Sequence, residues 1–194
     1  MSLLTSILCV ACVLLLAVAV YCFYCYRTIA SNQAVARSTT DDSDNKYAGM
    51  LPKELCMQLL KDMNCKVEID EENADHLVFD FQGETFSMYV GNESLLINIY
   101  DYAWGNISLD DISEVSNLRK AINNVNINSG VTVLYSIDDE HRLMVVHSKR
   151  QLVMTYQIPS LKDYLTAMLV SFFETQRALK LELDNMRKNT EQHA

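Results

Sequence analysis

The chain has 194 residues, 49% of them apolar, and a net charge of −9. That length suits one domain plus an appendage, and the acidic balance repels phosphate backbones, which argues against nucleic acid as a partner and against lying flat on anionic lipid. The charge is unevenly placed. Met1–Tyr26 carries none, and residues 27–50 balance Arg27, Arg37 and Lys46 against Asp41, Asp42 and Asp44, so the whole excess falls on residues 51–194.

The first element is the uncharged run Leu3–Tyr26, broken only by Thr5 and Ser6. As a helix, its 24 residues would extend roughly 36 Å, against roughly 30 Å of bilayer hydrocarbon. It holds two C-x-x-C pairs, Cys9/Cys12 and Cys22/Cys25. A zinc knuckle needs a turn between paired cysteines, and Val10-Ala11 and Phe23-Tyr24 supply no turn residue. Residues 1–27 therefore read as a transmembrane anchor, with Cys22 and Cys25 as candidate acylation positions near its edge. A cleaved export signal is the rival. Such signals open on basic residues and have an apolar core of about 7–15 residues. Here nothing basic precedes Leu3, and the A-x-A-like Ala34-Val35-Ala36 lies far beyond the apolar core. Arg27 and Arg37 flank only the C-terminal side. The positive-inside rule then places a single-pass protein in the cell membrane with its domain in the cytoplasm.

Residues 28–50 are polar and lack apolar periodicity, as a flexible tether does. The domain is expected over 51–194. A helix is predicted over Leu51–Asn64, with Pro52 in its first turn and Leu55, Leu59 and Met63 along one stripe. Lys66–Asp70 reads as a short strand. In "HLVFDFQGETFSMYV", apolar and polar residues alternate on either side of Gly83-Glu84, which is a hairpin signal. Leu95–Tyr100 is a third strand. A helix starting at Ser108 or Asp110 is expected to run to Val125, with Gly130 supplying a positive-φ stop.

Three further strands, "VTVLYSI", "RLMVVHS" and "QLVMTYQ", are expected with turns at Asp138–Glu140 and Ser148-Lys149. Ser160 and Asp163 resemble a capping box for a last helix reaching Arg187. At roughly 40 Å, that helix would outrun a strand of ordinary length, ~17–20 Å. Its tail should overhang, pair with another chain, or fray. The fold class is thus α+β: about six antiparallel strands on helices, in the order helix, three-strand meander, helix, three strands, long helix.

"FDFQGETFSMYVGNESLLINIYD" and "LRKAINNVNINSGVTVLYSIDDEHRLMVV" resemble the central segments of the YbjN-like domain family. The resemblance runs in order over residues 51–187. That family is similar in fold to the chaperones of type III secretion effectors. It implies a bacterial, non-enzymatic, protein-binding domain that often dimerises, with no catalytic residue to carry over. The anchor departs from its simplest soluble members.

No H-E-x-x-H, P-loop, G-x-G-x-x-G or G-x-S-x-G motif occurs, and no catalytic residue, cofactor, metal or small-molecule substrate is expected. The acidic cluster Asp138-Asp139-Glu140-His141 reads as a solvated turn, with a metal-dependent sensor or enzyme as the alternative. Only Cys56 and Cys65 lie in the domain, which suits unpaired thiols. Thr85, Ser87, Tyr89, Asn98, Tyr100 and Tyr102 fall on a mixed sheet face. Tyrosine buries area cheaply while keeping a hydroxyl. The candidate surface for a protein partner or a second copy therefore comprises Tyr89, Tyr100, Tyr102 and Trp104 with Phe172, Phe173, Leu179 and Leu183 of the last helix. The topology is checked by a reporter active only outside the cytoplasm and fused to the C-terminus. It is expected to stay silent, and activity would place the domain on the other side.

Overall fold

The computed structural model describes residues 46–191, with side chains of the last helix described to Lys188. The predicted anchor, Cys22, Cys25 and the linker up to Asn45 lie outside the described residues. Among the described residues, no helix is long and apolar enough to cross a membrane. The compact unit begins at Tyr47, a core residue whose hydroxyl donates to Asp62 Oδ2 at 2.6 Å.

Among the described residues, three helices cover one face of a six-stranded antiparallel sheet. Helix α1 (Pro52–Asp62) precedes β1 (Val67–Ile69), β2 (His76–Phe81), β3 (Glu84–Tyr89) and β4 (Leu96–Ser108). Helix α2 (Ile112–Asn128) leads to β5 (Thr132–Asp138) and β6 (Leu143–Val153), and α3 (Leu161–Glu191) closes the chain. The strand order is β1-β2-β3-β4-β6-β5. The period-2 pattern puts Leu77, Phe79, Phe86, Met88, Ile97, Ile99, Val133, Met144 and Val146 on the helix side, all buried. Tyr89, Tyr100, His147 and Lys149 lie on the other face, which no helix among the described residues covers.

The α+β class and the six strands hold, but their division differs from the expected three plus three. The third strand does not stop at Tyr100. An irregularity between Asp101 and Gly105, with Ala103 at φ 56°, breaks the alternation, and β4 continues through Trp104 to Ser108. Ser148-Lys149 is not a turn either. Ser148 is fully buried inside one continuous β6, where it accepts a hydrogen bond from Trp104. With β1, the meander therefore has four strands and only two follow α2.

The turn after β2 also shifts by one residue. Gln82 and Gly83 both take positive φ, 52° and 93°, the pattern of a hairpin turn whose twist matches its strands. Helix α2 starts later than expected, capped by Asp111, whose side chain accepts from the Glu114 N–H at 2.9 Å. Its stop is Ser129 in extended conformation rather than a positive-φ glycine. Gly130 serves a different need, because a Cβ there would lie 3.2 Å from the Arg150 guanidinium. Ser160 sits at φ 50°, outside the extended geometry of a capping box, and gives its carbonyl to the Tyr164 N–H.

The long helix nearly matches its longest strand instead of outrunning the sheet by half its length. Its 31 residues extend about 46 Å, and the 13 residues of β4 extend about 43 Å. Two apolar clusters lie along this length. Leu165, Leu169 and Phe172 of α3 join α1 and the first half of the sheet. Leu179 and Leu183 join α2 and the far ends of β4, β5 and β6. In the sequence, Gln82 stands where a left-handed turn favours asparagine. Gln82→Asn is expected to stabilise the chain by about 0.5–1 kcal/mol, read as a higher denaturation midpoint with unchanged slope.

Candidate functional site

The uncovered face carries a ladder of rings across four strands. Residues opposite one another on neighbouring strands touch through their side chains, and His76 faces Tyr89 in register. Their rings stack with centroids 4.4 Å apart and an interplanar angle of 3°. Tyr89 meets Tyr100 edge-on at 5.6 Å, and Tyr100 stacks on Tyr102 at 5.1 Å. Tyr102 then meets His147 edge-on at 5.7 Å. Lys149, opposite Tyr100 in register, holds its ammonium 5.1 Å from that ring's centroid. Offset and edge-to-face pairs such as these add to burial, so the rings brace one another while remaining half-exposed. Tyr102 is 46% exposed.

The polar ends of the ladder are held in place. His147 Nδ1 accepts the Ala103 N–H at 3.0 Å, so the ring proton sits on Nε2 and is shared with Ser136 Oγ at 2.8 Å. Burial holds the His147 pKa below its ordinary value, consistent with a neutral ring at physiological pH. The Tyr102 phenol is pushed up to about 12, first by burial and then by its hydrogen bond with Tyr89. At the other end, His76 Nδ1 lies 2.7 Å from Asp70 Oδ2, and that bond holds the Asp70 carboxyl below its usual range. The buried Nε2 of His76 has no hydrogen-bond partner among the described residues.

Of the residues expected on a partner surface, the structure brings together Tyr89, Tyr100 and Tyr102. The others lie elsewhere. Trp104 follows the irregularity in β4 and faces the helix side, where its Nε1–H donates to Ser148 Oγ at 2.9 Å. Phe172, Leu179 and Leu183 are at most 9% exposed and belong to this chain's own core, so they offer no surface. Phe173 is half-buried against Phe81 and Phe86. His76, His147 and Lys149 are additions that the sequence pattern concealed. His147 and Lys149 share a face at i, i+2 spacing, a signal lost when β6 is divided at Ser148.

The Asp138–His141 turn is self-satisfied. Asp138 accepts the His141 N–H at 3.0 Å and meets His141 Nδ1 at 2.8 Å. Among the described residues, no group of three or more His, Cys, Asp or Glu side chains converges to hold a metal ion. Cys56 is buried, and burial pushes its thiol up to about 12. An open groove of about 690 Å³ runs between the end of α2 and α3, lined by residues including Asn124, Ser129, Gly130, Glu174 and Thr175.

Beneath the ladder, on the helix side, a polar belt separates the two apolar clusters. Gln176 Nε2 donates to Asp101 Oδ2 at 2.7 Å, and Arg150 Nη1 donates to Ser171 Oγ at 2.7 Å. Ser129 and Thr175 share a hydrogen bond at 2.8 Å.

No protein-family model matches this chain, and no curated protein does. Among solved structures, an uncharacterised protein from Methanothermobacter thermautotrophicus matches with a TM-score of 0.48 and 14% identity, over 70% of this chain and 98% of that one. YbjN from E. coli, for which a role in transcription regulation has been suggested, matches with a TM-score of 0.38 and 14% identity, over 71% of this chain and 90% of that one.

Asp101 is 1% exposed, and burial pushes its carboxyl up to about 6, against the lowering effect of the Gln176 hydrogen bond and with a further rise from the Glu84 charge. The folded state therefore holds this proton more tightly than the unfolded chain, whose carboxyl titrates near 3.9. Stability should fall as pH rises from about 4 to about 6 and then level off. Asp101→Asn is expected to match the parent at pH 4 and exceed it at pH 7 by up to about 3 kcal/mol, measured by denaturant titration at both pH values.

Proposed function

We propose that this chain is a membrane-tethered, non-enzymatic protein-binding domain, chaperone-like or regulatory, whose open sheet face takes a protein partner. The observation that carries it is the ring ladder from His76 through Tyr89, Tyr100 and Tyr102 to His147, standing on a face that no described helix covers. Rings already packed on one another lose little freedom when a partner covers them, and their hydroxyls and Lys149 supply polar contacts at the same place. The sequence resemblance to YbjN-like domains supports the same class of function. The apolar run at residues 3–26 supports the tether, with the domain on the cytoplasmic side.

A photo-crosslinking amino acid at Ser87, between the ring-bearing strands, tests the face in native membranes. A discrete adduct with another protein is expected there and not from a probe at Glu182 on the last helix. Adding Tyr100→Ser and Tyr102→Ser should weaken the adduct by about tenfold, as loss of aromatic anchors does. Equal labelling from the two probe positions, or none from Ser87, would overturn the proposal.

A further inference from the structure

The sheet has two edges, and they differ. Strand β1 is three residues long, and a charged pair, Lys66 and Glu68, brackets its start at 2.6 Å. Short, charged edges resist pairing. Strand β5 is seven residues of "TVLYSID" with no proline, lysine or bulge along its pairing with β6.

The way β5 meets α2 shows how much of this edge is open. The Val133 N–H donates to Asn126 Oδ1 at 2.8 Å, and the Val133 carbonyl accepts from Asn126 Nδ2 at 2.9 Å. Both backbone groups of a strand residue point the same way, so Val133 faces outward and the Asn126 amide stands in for a neighbouring strand. By the two-residue period, Tyr135 and Ile137 also face outward, while Leu134 and Ser136 face β6. Helix α2 does not cover them. It begins after Ser108, which pairs with Leu143 at the level of Asp138, and the hydrogen bonds it makes to the β5 edge are those of Asn126 to Val133. It thus crosses the sheet diagonally and leaves Tyr135 39% and Ile137 46% exposed, beside the buried Val146 and Met144 with which they pair.

We propose that this open half-edge pairs with the same half-edge of a second copy, in antiparallel register about a two-fold axis at Ser136. In that register Tyr135 lies opposite Ile137 of the other copy, twice. Each such pair exchanges two backbone hydrogen bonds and sets an aromatic ring against a β-branched side chain, a favourable cross-strand pair. Asp138 falls opposite Leu134, so no acid meets an acid. The pairing ends at Val133, whose outward groups Asn126 already occupies. The edge is therefore self-complementary, and its two apolar side chains extend the second core cluster across the axis. A contact of this length sits at the small end of specific interfaces, so the association is weak and concentration-dependent. It uses the sheet edge and stands apart from the open-face proposal.

Ser136 gives the test. Its backbone points to β6, so Ser136 and its symmetry mate form a non-hydrogen-bonded pair with Cα atoms about 4.5 Å apart, within disulfide reach. Ser136→Cys in the full chain, under mild oxidation in native membranes, should give a disulfide-linked dimer about tenfold faster than the parent chain's own cysteines, because the thiols are held together. Leu134→Cys is the control. Its thiols would stand about 13 Å apart along the strand and should not exceed the parent. Adding Ile137→Lys to Ser136→Cys should remove the gain. Equal crosslinking of the two cysteine variants, no gain for Ser136→Cys, or linkage of Ser136→Cys to a different polypeptide instead of to itself would overturn the proposal. None of these outcomes depends on what the Ser87 probe captures.

Discussion

The structure depends on one length match. A helix of 31 residues lies along strands of 13 and 11 residues, and neither partner has to end early. The apolar face of such a helix is too long for a single compact core, so it is buried in two stations. Leu165, Leu169 and Phe172 serve the first, and Leu179 and Leu183 the second. Each station brings its own short helix, α1 or α2. Removing any one core side chain would leave a cavity in one station while the other keeps its packing.

Among the described residues, all three helices lie on one side, and the sheet's second face carries none of them. Its composition then has to make itself compact, and it does so through ring contacts rather than through a covering layer. The His76, Tyr89, Tyr100, Tyr102 and His147 rings lie within stacking or edge distance of their neighbours. The result is a firm, partly apolar surface with hydroxyls at its rim. The edges are handled separately: β1 is short and charged, and the first half of β5 is closed by the Asn126 amide.

The regular parts of this arrangement were legible in the residue pattern. The hairpin around Gly83, the stripes of α1 and α3, and the mixed face carrying Tyr89, Tyr100 and Tyr102 all follow from period 2 or period 3.6. What escaped was local irregularity and polar burial. Ala103 in a left-handed conformation hid the second half of β4 and turned Trp104 to the helix side. Ser148-Lys149 has the composition of a turn, yet Ser148 is a buried acceptor. Those two misread points shortened both long strands, which in turn made α3 look too long. A helix that seems too long offers Phe172, Leu179 and Leu183 as surface, whereas they are core. The half-capped edge of β5 had no signature at all, because it depends on where α2 crosses the sheet.

The polar belt has a mechanical consequence. Apolar stripes on a helix and a sheet are smooth enough that one element can slide a turn past the other at modest cost. A turn of α3 is about 5.4 Å, and a slip of that size would carry Gln176 away from Asp101 and Ser171 away from Arg150. It would strand the buried Asp101 carboxyl and leave the half-buried Arg150 guanidinium and Gln176 amide without these partners, a loss that costs more than a displaced methyl group. The belt therefore works as a detent: it indexes the helix axially, so that the two stations can only be filled together.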